Sequence, residues 1–157
     1  MSRQSKNWTG QEATEAIPLV RRCLAKLREQ YVLMMHLHCK EKKALTAEEQ
    51  DDLRIRVEKA MNAAIAALNE VLNLGIVVYD KAWRGIALFP FQVRHQEQQS
   101  VVRDALFVFK DSRATIDSFV LAERLAETND LFGEERPIPD EWKKEGCGLP
   151  CLHTHRS

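Results

Sequence analysis

Between Thr9 and Leu74 apolar residues recur at alternating spacings of three and four. The first row is Ile17, Val20, Leu24, Leu27, Tyr31 and Met34, closed by His38; the second is Leu53, Val57, Ala60, Ala64, Leu68, Val71 and Leu74. A period of about 3.5 residues keeps one seam of a helix facing a partner helix, so the pattern predicts two matched, coiled-coil-like helices. Thr9-Gly10-Gln11-Glu12 and Thr46-Ala47-Glu48-Glu49 each have the form of a capping box at a helix start, and Gly75 stands where a left-handed C-terminal cap is wanted. Only a few residues around Ala44 and Leu45 separate the two rows, which predicts an antiparallel hairpin over residues 9–74. Pro18 predicts a kink in the first helix, or a restart, because it removes an amide donor and crowds the preceding turn. Met61, Ile65 and Leu72 widen the apolar stripe of the second helix beyond what one partner helix covers. The excess is expected to meet the C-terminal half of the chain and a second copy, giving a homodimer.

After Gly75 the period becomes strand-like. Ile76 to Tyr79 reads as one strand, Asp80 to Gly85 as a turn, and Ile86 to Val93 as a second strand, where Pro90 argues for an edge or a bulge. Arg94 to Ser100 is polar with no packing face, which predicts a mobile connection, and Ala105 to Phe109 reads as a third strand. Thr115 to Val120 is read as a strand followed by a short helical turn; the alternative is one helix capped by Asp117 and Ser118 and running to Glu127. Beyond Gly133 the spacing of Pro137, Pro139 and Gly146 describes an extended tail held at most by Trp142. The expected fold is α+β: a long antiparallel helical hairpin, a small antiparallel sheet over 76–121 and an extended C-terminal tail. Residues 1–138 form one domain in this reading and 139–157 the tail.

Composition narrows the function classes. The chain has 157 residues, 45% of them hydrophobic, too apolar for a disordered tail and enough for one core without a disulfide or metal. Its 23 basic residues are balanced by 23 acidic ones, so no global field draws nucleic acid or an anionic membrane. Much of the balance is local: Lys40, Lys42 and Lys43 gather at the end of the first helix, and Glu48, Glu49, Asp51 and Asp52 at the start of the second. Each sign suits the helix dipole it meets. The polar stretch Met1 to Trp8 lacks the apolar segment of a secretory signal, and no run reaches the roughly 18 apolar residues of a membrane span, so a cytoplasmic protein is expected. Cys23, Cys39, Cys147 and Cys151 are accordingly read as reduced thiols.

The stretch with most chemistry is the tail, where Cys147, Cys151, His153 and His155 place four zinc-type donors within nine residues. A structural zinc site is the second expectation for function, although His-x-His directly after the second Cys strains one compact shell. His36 and His38 lie two apart on a helix and point away from each other, so His38 is expected in the seam and His36 in solvent. The chain carries no glycine-rich phosphate loop, no nucleophile elbow and no His-Glu-x-x-His motif. The leading expectation is therefore a non-enzymatic interaction or structural protein. An enzyme with a pocket between helices and sheet is the third reading.

The order of these features resembles the bacterial Domain of Unknown Function 2203 family. The resemblance is carried by Trp8-Thr9, Glu12-Ala13 and Ile17-Pro18-Leu19, by Leu74-Gly75, by Asp80, Arg84-Gly85-Ile86 and Phe89-Pro90, and by Gly133 with Arg136-Pro137-Ile138. It spans residues 8–138 and implies an α+β fold with Pro18 as a normal feature of the first helix. The chain looks like a divergent member. The family tends to carry an acidic residue where this chain has Leu88, a Cys-Trp pair at Val108-Phe109 and a Trp-His pair at Phe119-Val120, so the resemblance transfers no catalytic role.

Overall fold

The computed structural model describes residues 7–79, 84–95, 102–143 and 151–152. Helix α1 (Gly10–Lys43) opens at Thr9, whose hydroxyl accepts from the Glu12 amide at 3.1 Å while the Glu12 carboxylate accepts from the Thr9 amide at 3.2 Å. Thr9→Ala is expected to cost about 1 kcal/mol, read as a lower urea midpoint at unchanged slope. Helix α2 (Ala47–Asn73) makes half of its capping box. The Thr46 hydroxyl accepts from the Glu49 amide at 3.1 Å, but the Glu49 carboxylate reaches past Thr46 to the Leu45 amide at 3.2 Å. At its other end Gly75 takes φ 84, and the amides of Gly75 and Ile76 return to the carbonyls of Leu72 and Val71 at 3.0 and 3.1 Å. This is a Schellman cap, and Ile76 and Val71 both enter the core beside it.

Helix α1 runs through Pro18 without a break. A proline inside a helix costs about 3 kcal/mol, and burial of the flanking Ile17, Val20 and Leu24 at about 1.5–3 kcal/mol each offsets it. The seam follows the expected row through the half-buried Tyr31 and Met34 and departs from it at His38. Leu37 is buried, whereas His38 is exposed and stands 3.5 Å from the Glu41 carboxylate. A straight helix drifts against a seven-residue repeat, and of the two neighbouring positions the apolar one gains by burial. His36 is exposed, as expected.

Strands β1 (Val77–Val78), β2 (Ile86–His95), β3 (Val102–Lys110), β4 (Ser118–Leu121) and β5 (Arg136–Pro137) pair antiparallel in chain order. A sixth, β6 (Cys151–Leu152), pairs parallel with Arg94–His95. Arg94 and His95, expected in a mobile connection, therefore belong to β2, extended by neighbours on both sides; the rest of that connection lies outside the described residues. Strand β4 runs directly into α3 (Ala122–Thr128), as the expected strand followed by a helical turn and not the single helix of the alternative, and α4 (Leu131–Glu134) follows.

Both sheet faces carry apolar side chains. Ala87, Phe89, Phe91, Val93, Phe107, Phe109, Phe119 and Leu121 meet Ile17, Val20, Leu24, Ala67 and Val71 of the hairpin. On the opposite face Ile86, Leu88, Val108 and Val120 are covered by Leu131, with Leu125 beside it. Trp142, from the segment expected as tail, packs 4.7 Å from the Phe119 ring and 5.9 Å from Phe91, centroid to centroid.

Pro90 is accommodated by a gap in regular pairing. Strand β1 reaches only Leu88, and beyond it the Trp8 amide donates to the Pro90 carbonyl at 2.8 Å while the Gln92 amide donates to Asn7 Oδ1 at 3.0 Å. A strand residue's amide and carbonyl point to the same side, so the amide that Pro90 lacks would face this irregular edge and not β3.

Candidate interaction surface

Two arginines mark where α1 leaves the sheet. Arg21 donates to the Arg113 carbonyl at 2.9 Å and lies over the Phe109 ring, and one face further along Arg28 holds Asp111 at 2.6 Å. Helical periodicity carries that same face onward from Arg28 to Val32 and Met35. On α2 the matching row is Leu72, Leu68, Ile65 and Met61, of which Leu68 packs against the core. Beyond the sheet the helices close their seam on each other, with Leu37 and Ala60 buried outside the main core. Large apolar side chains of the hairpin stay uncovered: on α1 past Arg28, Val32 is 59% exposed and Met35 55%, and on α2 Met61 is 45% and Ile65 47% exposed. From Arg28 to the end of α1 the hairpin projects about 22 Å at 1.5 Å per residue.

On the far side of the sheet, Lys110 Nζ stands 2.6 Å from Glu135 Oε1, and the buried Ser118 hydroxyl donates to Glu135 Oε2 at 2.9 Å. The Phe132 ring lies 4.8 Å from the Lys110 ammonium. Beside it is a cleft of about 340 Å³ lined by Tyr79, Arg84, Asn129, Asp130, Leu131 and Phe132. Gly133 permits the loop next to it, since a Cβ there would fall 2.2 Å from the Asp130 carboxylate that caps α4.

Of the expected zinc donors, Cys147, His153 and His155 lie outside the described residues, and Cys151 is placed only through its backbone in β6, across from Arg94. Among the described residues no group of three or more metal-type ligands occurs, and no helix is long and apolar enough to cross a membrane. Cys23 and Cys39 are unpaired thiols. Burial pushes the Cys23 thiol up from its ordinary value, and the Glu70 carboxylate 3.5 Å away pushes it further in the same direction. Leu88, Val108, Phe109, Phe119 and Val120, where the chain departs from the family pattern, are all buried in the sheet and serve packing. The stripe on α2 was foreseeable from Met61 and Ile65. Val32 and Met35 were missed because they sit beside the heptad row, and the cleft joins segments far apart in sequence. No family model, no curated protein and no solved structure matches the chain.

Proposed function

We propose that the protein is a non-enzymatic structural or interaction protein of the bacterial cytoplasm, a divergent relative of the Domain of Unknown Function 2203 family, and a homodimer built through its coiled-coil-like hairpin. The observation that carries the dimer is the set of large apolar side chains the hairpin helices leave uncovered, Val32 and Met35 on α1 and Met61 and Ile65 on α2. Apolar side chains grouped on one face and left in water favour association, whereas single ones scattered over a surface do not require it. Balanced charge supports a second copy as the partner, since it leaves like molecules without net repulsion. Supporting the family reading, Trp8 meets Phe89-Pro90: the Trp8 amide bonds the Pro90 carbonyl and its ring stands edge-on to Phe89 at 5.1 Å.

Sedimentation velocity across the micromolar range tests the dimer. The wild-type chain is expected to sediment as a dimer at the upper end. Met35→Glu combined with Met61→Glu should weaken association about a hundredfold, because two charges per copy would be buried without partners. Both positions are exposed in the single chain, so the variant should keep its fold. A wild-type monomer throughout, or a double variant as dimeric as the wild type, overturns the proposal.

A further inference from the structure

The last turns of α1 carry soft donor atoms that the packing of the hairpin does not use. Leu37 is buried in the seam and so fixes the rotation of the helix, which leaves His36 and Cys39 exposed. They stand at i and i+3, where two helical side chains meet with Cβ atoms about 5–6 Å apart. An imidazole and a thiolate, each with a metal bond of about 2.0–2.3 Å, can close that span on one ion. The Glu-x-x-His ligand pairs of metal-binding helical bundles use the same spacing. Met35, 55% exposed, brings a thioether one turn before Cys39, at i and i+4. His38 stands apart from this group, 3.5 Å from the Glu41 carboxylate. Among the described residues the His36 ring and the Cys39 thiol enter no hydrogen bond or ion pair.

We propose that Met35, His36 and Cys39 bind one copper(I) ion. Thiolate, thioether and imidazole are the donors that suit this soft ion, and two or three of them satisfy it. Zinc requires a closed tetrahedral shell, which a helix face with one thiol and one imidazole leaves half filled. No further zinc-type ligand joins them among the described residues. Charge points the same way. Binding releases the thiol proton, so copper(I) on the thiolate is neutral, whereas a divalent ion would leave a positive charge close to the exposed Lys40, Lys42 and Lys43. The site lies within one copy of the chain and does not rest on the dimer.

The probe is copper(I) itself, added anaerobically to the full ¹⁵N-labelled chain and competed with the chromophoric chelator bicinchoninate; zinc(II) is titrated separately. One ion per chain is expected to shift the amides of residues 35–40, at protein concentrations that give monomer or dimer alike. Cys39→Ser should weaken this binding at least about a hundredfold and His36→Ala about tenfold. Met35→Leu keeps an apolar side chain and loses only the sulfur, so it should weaken copper severalfold and leave sedimentation unchanged. All three side chains are exposed, so the variants keep the fold. Copper taken up elsewhere in the chain with no shift over 35–40 overturns the proposal. So does wild-type affinity in Cys39→Ser, or zinc(II) bound at the same amides as tightly as copper(I).

Discussion

Gly85→Ala is expected to lower the melting temperature by roughly 5 to 10 °C, a loss of about 2–3 kcal/mol in a chain of this size. Two causes act together. Gly85 has φ +66, a left-handed conformation that costs a residue with a side chain about 1–2 kcal/mol. Its missing Cβ would also fall 2.3 Å from the Asp111 carboxylate. That carboxylate is not free to swing aside, since Arg28 holds it at 2.6 Å and the Asp111 amide donates to the Gly85 carbonyl at 2.9 Å. Displacing it gives up a half-exposed ion pair worth about 1 kcal/mol or less. Asp111→Ala in the same chain removes the clash and leaves the backbone cost, so the double variant should lose less than the two single losses added together. Calorimetry on the four proteins decides it; a Gly85→Ala chain that melts with the wild type would mean that the turn does not enforce this conformation.

Gly85 illustrates what could and could not be read beforehand. A glycine in a turn between two strands is legible from composition, but the carboxylate that fills its Cβ space comes from Asp111, 26 residues later, and no local pattern announces it. Short-range features translated well: the Thr9 box, the Gly75 cap, the seam as far as Met34 and the strand of Ala105 to Phe109. Each is decided within a few residues by hydrogen-bond geometry or periodicity. His38 failed at the far end of a long helix, where a small error in period accumulates. The covering of the second sheet face went unread, although Ile86-Ala87-Leu88-Phe89 is a run without polar alternation, as expected of a strand buried on both sides. The cover itself, Leu125 and Leu131, sits on helices of seven and four residues, too short to show a period. The interaction surface was half legible for the same reason: Met61 and Ile65 stand beside a clear seam, whereas Val32 and Met35 become a face only when Arg28 is seen to grip Asp111.

The second large effect belongs to Glu135, whose loss should cost about 2–3 kcal/mol although it sits in a loop between α4 and β5. Its carboxylate serves two groups that are otherwise poorly hydrated. Lys110, 17% exposed on its side chain, has its ammonium 2.6 Å from Oε1, and the buried Ser118 hydroxyl donates to Oε2 at 2.9 Å. Glu135→Ala leaves a largely buried ammonium facing a buried hydroxyl with no acceptor between them. Neither can turn to solvent freely, because the Phe132 ring lies over the ammonium and β5 pairs alongside Ser118. Attraction within such a pair only partly offsets the cost of drying both charges, so removing the pair is gentler than breaking it. Lys110→Met with Glu135→Leu should therefore recover more than half of the loss, the remainder being the unpaired Ser118 hydroxyl. Urea unfolding of the wild type, the single variant and the double variant separates the possibilities. If the double variant proves less stable than Glu135→Ala, the pair contributes net stability here, and the second sheet face is held by electrostatics more than by the packing of Leu131.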